Sequence, residues 1–525
     1  MTWSLSNSQG FESDKVRFDV LPYLSKGGLD IGCGPKKVWP HLLGLDSGKD
    51  TELFGVAMKP DMVIGNAARL AIFATEAIEN VFSSHLLEHI EDWQGALREW
   101  WRLVKPGGHL SLYLPHADLY PNCGQPGANP DHKHDFCPED IVDFFKLAMP
   151  DWTLLVNEVR DQADEYSFLL VLRKEAHGTG QNDSSTTHPL KTVGLVRVGA
   201  HGDAIWASSP CAILKEQGYF VTAYVASTGG EILKHDPNID RLVVLPDGVL
   251  TDDELLAYWA HEAVKHDKWV NLIGSVEQRL LFHPSSNEFF LSHKLRHTFA
   301  DKNYLEMVHD YADLPHTFRQ KYYPTEQEML FAQTLKAKLP GGASTPLVVL
   351  NPCGSGPAKT WPHAQRFMEL CNAAGVNCVV LGDLRLPLAE VEPHGIVLGK
   401  DLPVRAALAF AQLADCVVAT ESLIANSVAM EAMLKVVILS HSSNENLTKH
   451  WVNTAALEAP QVACHPCHRV HGGDLTFCAK DTNTGASACM ASATADTVAA
   501  FVLERLAPLQ DPYDQYRNSL LLEVA

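Results

Sequence analysis

Residues 27–46, GGLDIGCGPKKVWPHLLGLD, decide the fold. A short apolar run ends in the glycines Gly32 and Gly34, and a second ends in Asp46 a dozen residues on. Glycines directly behind a strand let the backbone approach a ligand that a Cβ would block, with helix amides beyond them. That is the opening of an α/β nucleotide-binding unit. Working outward, 77–89 (AIENVFSSHLLEH) reads as a strand leading into a helix, and 93–104 (WQGALREWWRLV) as an amphipathic helix. KPGG is a turn, and 109–115 (HLSLYLP) is a strand. The runs 151–162 and 165–174 form an antiparallel hairpin that closes the sheet edge. Strands alternating with helices point to a parallel, doubly wound sheet.

Residues 174–191, KEAHGTGQNDSSTTHPLK, are polar and without hydrophobic period, the composition of an interdomain linker. The strand-first pattern then restarts at TVGLVRVG (192–199), continuing through FVTAYVA, RLVVLP and KWVNLIG. It restarts again at PLVVLNPCG (346–354), followed by NCVVLGD, GIVLG, DCVVAT and VVILSHSS. The boundaries expected are a first domain over 1–173, the linker 174–191, a second domain over 192–340 and a third over 341–525. The last two would be Rossmann-like domains facing a cleft.

A chain of 525 residues suits roughly three or four domains. A net charge of −21 would repel a polyphosphate duplex, which disfavours nucleic acid as a partner. No run of about 18 apolar residues offers a transmembrane segment. The start, MTWSLSNSQGFESDKVRF, lacks the charge-then-apolar pattern of a secretory signal. Twelve cysteines without such a signal point to the reducing cytoplasm.

Asp30, Gly32 and Gly34, then Asp46, HLLEHIED and LREWWRLVKPGGHLSLYLPH form a set that resembles the class I S-adenosylmethionine-dependent methyltransferases, over about residues 26–173. The resemblance implies that Asp30, Gly32 and Gly34 meet the methionine part of S-adenosylmethionine and that Asp46 accepts the ribose hydroxyls. Asn66 would lie near the adenine, and His85 on the strand end facing the sulfonium. Pro35–Lys36 stand where the usual loop has a third glycine. Methyl transfer needs alignment and a base for the acceptor. The candidates are His116, His132 and His134, each of which could equally be an ordinary surface histidine. A methyltransferase fold kept only as structure is the alternative.

RVGAHGDAIWASSP (197–210) puts Gly199, Gly202 and Asp203 in the turn after a strand, where Asp203 could also be an ordinary helix cap. NPCGSGPAKTWPHAQRF (351–367) supplies a glycine-rich loop and Lys359, which suit a diphosphate. A third loop carries Glu421, Ser422 and Asn426. In this order the loops resemble the family 9 glycosyltransferases, the bacterial heptosyltransferase group of GT-B fold, over about residues 192–510. The resemblance makes Asp203 the base that deprotonates the acceptor hydroxyl, and makes Lys359 a phosphate ligand. Glu421, Ser422 and Asn426 fall on a loop that normally reads Asp-Thr-Gly-x-x-His, and Asp383 on a nucleoside-binding strand end. It implies an inverting, metal-independent transfer from a nucleotide-diphosphate sugar to a surface-glycan or lipopolysaccharide-type acceptor, in the cytoplasm or at the periphery of the inner membrane. The other readings are a nucleotide-sugar-binding scaffold with one or both sites inactive, and a phage-type transferase acting on DNA bases.

Cys464, Cys467, Cys478 and Cys489 crowd into one segment, while the other eight cysteines are scattered. A Cys-x-x-Cys knuckle with two further cysteines suits a structural zinc site. Free thiols are the alternative, and His465, His468 and His471 could substitute as ligands.

Overall fold

The computed structural model describes residues 11–49, 52–53, 56–162, 164–176, 191–471 and 473–510. Of the expected linker, 177–190 lie outside the described residues, as do the first ten residues of the chain. The chain divides into two units, one of 1–188 with 244–265, the other of 189–243 with 266–525.

The first unit is built on a seven-stranded sheet of β1 (Leu29–Ile31), β2 (Leu43–Asp46), β3 (Met62–Val63), β4 (Ile78–Ser84), β5 (Val104–Pro115), β6 (Trp152–Arg160) and β7 (Ser167–Lys174). Their order is β3-β2-β1-β4-β5-β7-β6. The pairings from β3 to β5 are parallel, and β7 runs antiparallel to both β5 and β6, as the hairpin reading expects. Register fixes the site. Ile31 lies level with Leu45 and with Ser83, so Gly32, Asp46 and His85 leave the sheet at one edge.

The helix Trp93–Leu103 buries Ala96, Leu97, Trp100 and Trp101, a stripe at i, i+1, i+4, i+5 against the sheet. Asp92 caps it by accepting the Gly95 N–H at 2.9 Å. The helix expected after the strand at HLLEH is only one turn long. The Glu88 carbonyl accepts the N–H groups of Lys133 (2.7 Å) and His134 (3.2 Å), so 87–89 close as a single 3-10 turn.

The helix Asp252–Ala263 belongs to this unit, although its sequence neighbours belong to the other. Glu254 pairs with Arg17 at 2.7 Å. His261 and Lys265 reach Asp19 at 2.9 and 2.7 Å, and Arg160 meets the same carboxylate at 3.1 Å.

The second unit holds two sheets. The smaller comprises β8 (Thr192–Arg197), β9 (Phe220–Val225), β10 (Arg241–Val244) and β11 (Lys268–Asn271), ordered β10-β9-β8-β11. The larger comprises β12 (Leu347–Asn351), β13 (Asn377–Leu381), β14 (Gly395–Gly399), β15 (Cys416–Thr420), β16 (Leu434–Ile438) and β17 (Thr454–Leu457), ordered β14-β13-β12-β15-β16-β17. All five of its pairings are parallel. Fully buried Val and Leu runs form β12 and β13, with Trp361, Phe367 and Met368 packed on them. The chain is therefore α/β throughout: a Rossmann-like sheet followed by a GT-B pair of Rossmann-like sheets. No helix of the described residues is long and apolar enough to cross a membrane.

Candidate functional site

In the first unit, Gly32 and Gly34 have φ of +76° and +58°, which a β-carbon would strain. Their reasons differ. A Cβ on Gly32 would come within 2.8 Å of the Leu86 side chain, whereas the position beside Gly34 is open. Asp46 stands at the end of β2 and accepts the N–H groups of Gly34 (3.0 Å) and Ser47 (2.6 Å), shaping the loop. Asp30 is buried and accepts the Val38 N–H at 2.7 Å. Burial pushes its carboxyl up to about 7, against the opposing pull of that bond. Asn66 is exposed and closes a turn by accepting the Ala68 N–H at 2.8 Å.

His85 adopts φ of +46°, with its Nε2 3.0 Å from the Ser167 hydroxyl. Burial drives its pKa down to about 3, so it is neutral. His132 turns inward to within 3.9 Å of Glu88. His134 points its Nε2 at the Glu91 carbonyl (3.1 Å), and His116 accepts the Asp118 N–H (3.1 Å). The open space beside Gly34, with Asp46 at the adjacent strand end, fits the backbone-lined cradle a nucleoside cofactor requires.

The second unit encloses a cavity of about 890 Å³ that both sheets supply. Asp203 enters from the smaller sheet and Lys359 from the larger. Asp203 is not in the turn but in the first turn of the helix His201–Glu216, where it accepts the Ala200 N–H at 2.8 Å. It is therefore a capping residue that also faces the cavity. Arg197 Nη2 lies 3.4 Å from its other oxygen. Arg197 is held in turn by both oxygens of Glu277, at 2.5 and 3.1 Å. Burial raises the Asp203 pKa, the neighbouring Glu277 raises it further, and Arg197 opposes them. Glu277 lines the cavity and follows β11 in a loop without any motif, so sequence alone does not single it out.

On the other side, Lys359 Nζ is 3.5 Å from Glu421. Glu421 is buried and saturated. It accepts the backbone N–H groups of Ser440 (2.8 Å) and Ser442 (3.0 Å), the Ser440 hydroxyl (2.8 Å) and the His441 ring at 2.5 Å. His441 and Lys359 hold this carboxyl well below its usual range despite burial. It lines the cavity beside Lys359 and anchors the loop that bears His441. Ser422 caps the helix Leu423–Ser427. Asn426 accepts the Trp206 indole N–H at 3.0 Å and donates to the Ser422 carbonyl, tying the helix of Asp203 to this loop. Asp383 is exposed at the end of β13 and pairs with Lys400 at 2.9 Å. His441, missed in the sequence, lines the cavity; the SHSS cluster closing an apolar run was its one visible signal.

Cys464, Cys467, Cys478 and Cys489 all line this cavity as free thiols. Cys467 Sγ lies 3.8 Å from His471 Nε2. Thiolates suit zinc in kind, but these sulfurs are not among the described groups whose ligand atoms lie within 4.8 Å of one another, so the expected four-cysteine site is not assembled.

Among curated proteins none matches the chain. Among solved structures, it is similar to the glycosyl transferase family 9 protein of Veillonella parvula DSM 2008, with 13% identity and a TM-score of 0.44, covering 61% of this chain and 99% of that one. The ADP-heptose lps heptosyltransferase II of E. coli shows 14% identity and a TM-score of 0.42, over 61% and 98% of the respective chains. A SAM-dependent methyltransferase of Thermotoga maritima, titled a possible histamine N-methyltransferase, shows 16% identity and a TM-score of 0.23, over 31% and 93%. Residues 29–112 match the family model described as a methyltransferase domain.

Proposed function

We propose that the chain carries two group-transfer sites. In the second unit, a sugar passes from a nucleotide-diphosphate donor to a hydroxyl of a surface-glycan or glycolipid acceptor. In the first, a methyl group passes from S-adenosylmethionine. The observation that carries the first claim is the shared cavity, with a carboxylate of raised pKa on one side and a lysine beside a glycine-rich loop on the other. Asp203 takes the acceptor proton as the hydroxyl attacks the anomeric carbon. Lys359 and the loop amides offset the charge that grows on the departing diphosphate. The transfer is a single displacement, so it inverts the anomeric centre.

For methyl transfer, the residues named to hold the cofactor are Asp30, Gly32, Gly34, Asp46, Asn66 and His85. S-adenosylmethionine supplies an electrophilic methyl group when bound. His132 and His134 are the base candidates, and the carbonyl opposite its Nε2 makes His134 the weaker of the two. Cys464, Cys467, Cys478 and Cys489 would hold a structural zinc, and the chain would work in the cytoplasm, at the inner-membrane periphery when the acceptor is a lipid.

The test is calorimetric titration of the full chain with S-adenosylhomocysteine and with a panel of nucleoside diphosphates. Asp46→Ala should weaken only the first ligand and Lys359→Ala only the second. Absence of heat for every nucleoside diphosphate with folded protein would remove the sugar-transfer reading. Absence of heat for S-adenosylhomocysteine would remove the methyl-transfer reading.

A further inference from the structure

Glu88 is fully buried, and neither carboxylate oxygen has a hydrogen-bond partner of acceptable geometry. Three imidazole nitrogens surround its Oε1: His85 Nδ1 at 3.8 Å, His89 Nε2 at 3.9 Å and His132 Nε2 at 3.9 Å. Those distances are too long for hydrogen bonds and too short for indifference. The His89 tautomer sharpens the problem. Its Nδ1 faces the Asp131 carbonyl at 3.2 Å and must donate, so Nε2 directs a lone pair at a carboxylate oxygen. Two acceptors facing each other call for a proton or a metal ion between them, and 3.9 Å is too long for a proton to bridge.

We infer that Glu88, His89 and His132 form a binding site for a divalent transition-metal ion of the zinc or iron(II) type. Their ligand atoms all lie within 4.8 Å of one another. An ion bonding at about 2.0–2.2 Å would need only a small contraction of the three side chains. Imidazole and carboxylate together suit zinc, iron, nickel or copper better than magnesium or calcium. The Asp131 carbonyl on His89 Nδ1 is the outer partner that fixes a ligating ring. The bonds from Lys133 and His134 to the Glu88 carbonyl hold the two ligand-bearing segments together without the ion. Three protein ligands leave coordination positions open for an oxygen ligand, as in catalytic rather than structural sites. Leu86, two residues before Glu88, packs on Gly32, so the segment that bears Glu88 and His89 adjoins the glycine loop. The site stands on its own geometry and does not depend on methyl transfer; with the ion bound, His132 is a ligand through Nε2 and no longer a base candidate.

Cobalt(II) titration of the full, metal-stripped chain tests this, because the thiol cluster of the other unit reports separately. Nitrogen- and oxygen-bound cobalt shows d–d absorption without a sulfur-to-metal charge-transfer band. The wild type should show a component of that kind, competed away by zinc. Glu88→Gln and His132→Ala should each weaken that component about 100-fold or more, with any thiolate band unchanged. Circular dichroism in the absence of metal identifies a variant that fails to fold. The wild-type spectrum then decides: cobalt absent, or bound only through thiolate, overturns the site. Folded variants that bind cobalt as the wild type does overturn it equally.

Discussion

Asp203 is the residue on which the two readings of the second unit meet. It caps a helix by accepting the Ala200 N–H, a role worth about 1 kcal/mol, and it lines the cavity with a raised pKa. A general base works best when its pKa approaches the operating pH. The base form is needed, so kcat/KM should rise with pH through a limb above the ordinary aspartate value of about 4. Glu277 raises that pKa by its own charge and by a side-chain hydrogen bond to Asp203. Glu277→Gln removes both effects, so the acid limb should move to lower pH by on the order of one unit. A pH–rate profile of the two proteins checks this, and a limb that stays or moves upward would contradict the assignment. These partnerships explain why the site was only partly legible. Asp203 and Lys359 stand in motifs, but Glu277 and His441 enter through tertiary contacts that no local spacing encodes. Glu421 has the expected loop position and lines the cavity, and five polar contacts show that it also anchors the loop bearing His441.

The loop from β12 to Lys359 shows how tightly an element can fix a functional side chain. A Cβ on Gly354 would lie 2.7 Å from Lys359 Cβ and 2.9 Å from the Glu421 carbonyl oxygen. Neither is the free end of a flexible chain, so Gly354→Ala must displace Lys359 or strain the backbone. The expected outcome is a stability loss of about 1–3 kcal/mol, together with a nucleoside-diphosphate affinity weakened roughly tenfold. Denaturant unfolding and calorimetry measure the two effects, and unchanged affinity would mean the loop does not position Lys359. Most strands were readable, since runs such as LVVLN and CVVAT have one interpretation in a buried parallel sheet. Among those that escaped, Met62–Val63 and Thr454–Leu457 are short edge strands whose pairing comes from their neighbours rather than from their own composition. HLLEH illustrates the converse. Its helical spacing is real, but contacts from Lys133 and His134 take the carbonyl that a helix would need.

Across the whole molecule, sequence order and spatial grouping part company at residues 244–265, which join the first unit. Periodicity identifies the helix Asp252–Ala263 but carries no information about which core it covers. Asp19 is the hinge of that attachment, buried among Arg160, His261 and Lys265. Asp19→Ala removes the carboxylate these groups share, although Arg160 keeps Glu165 and Lys265 keeps Glu262, and should cost about 2 kcal/mol at neutral pH. Burial opposes ionisation of Asp19, but the His261 hydrogen bond and the charges of Lys265 and Arg160 prevail and depress its pKa. The stabilisation is therefore present above the unfolded value of about 4 and fades as pH falls below it. Unfolding curves of wild type and variant should converge on acidification; a difference that persists would place the effect elsewhere. The central claim, that one cavity joins an acceptor base to a donor-phosphate ligand, is tested most directly by Asp203→Asn. The measurement is its turnover with the donor and acceptor that the wild type uses, beside its nucleoside-diphosphate affinity. The account predicts turnover lowered by roughly 10²–10⁴-fold with affinity nearly intact, because a base acts in the transition state. Near-normal turnover by the folded variant would contradict it.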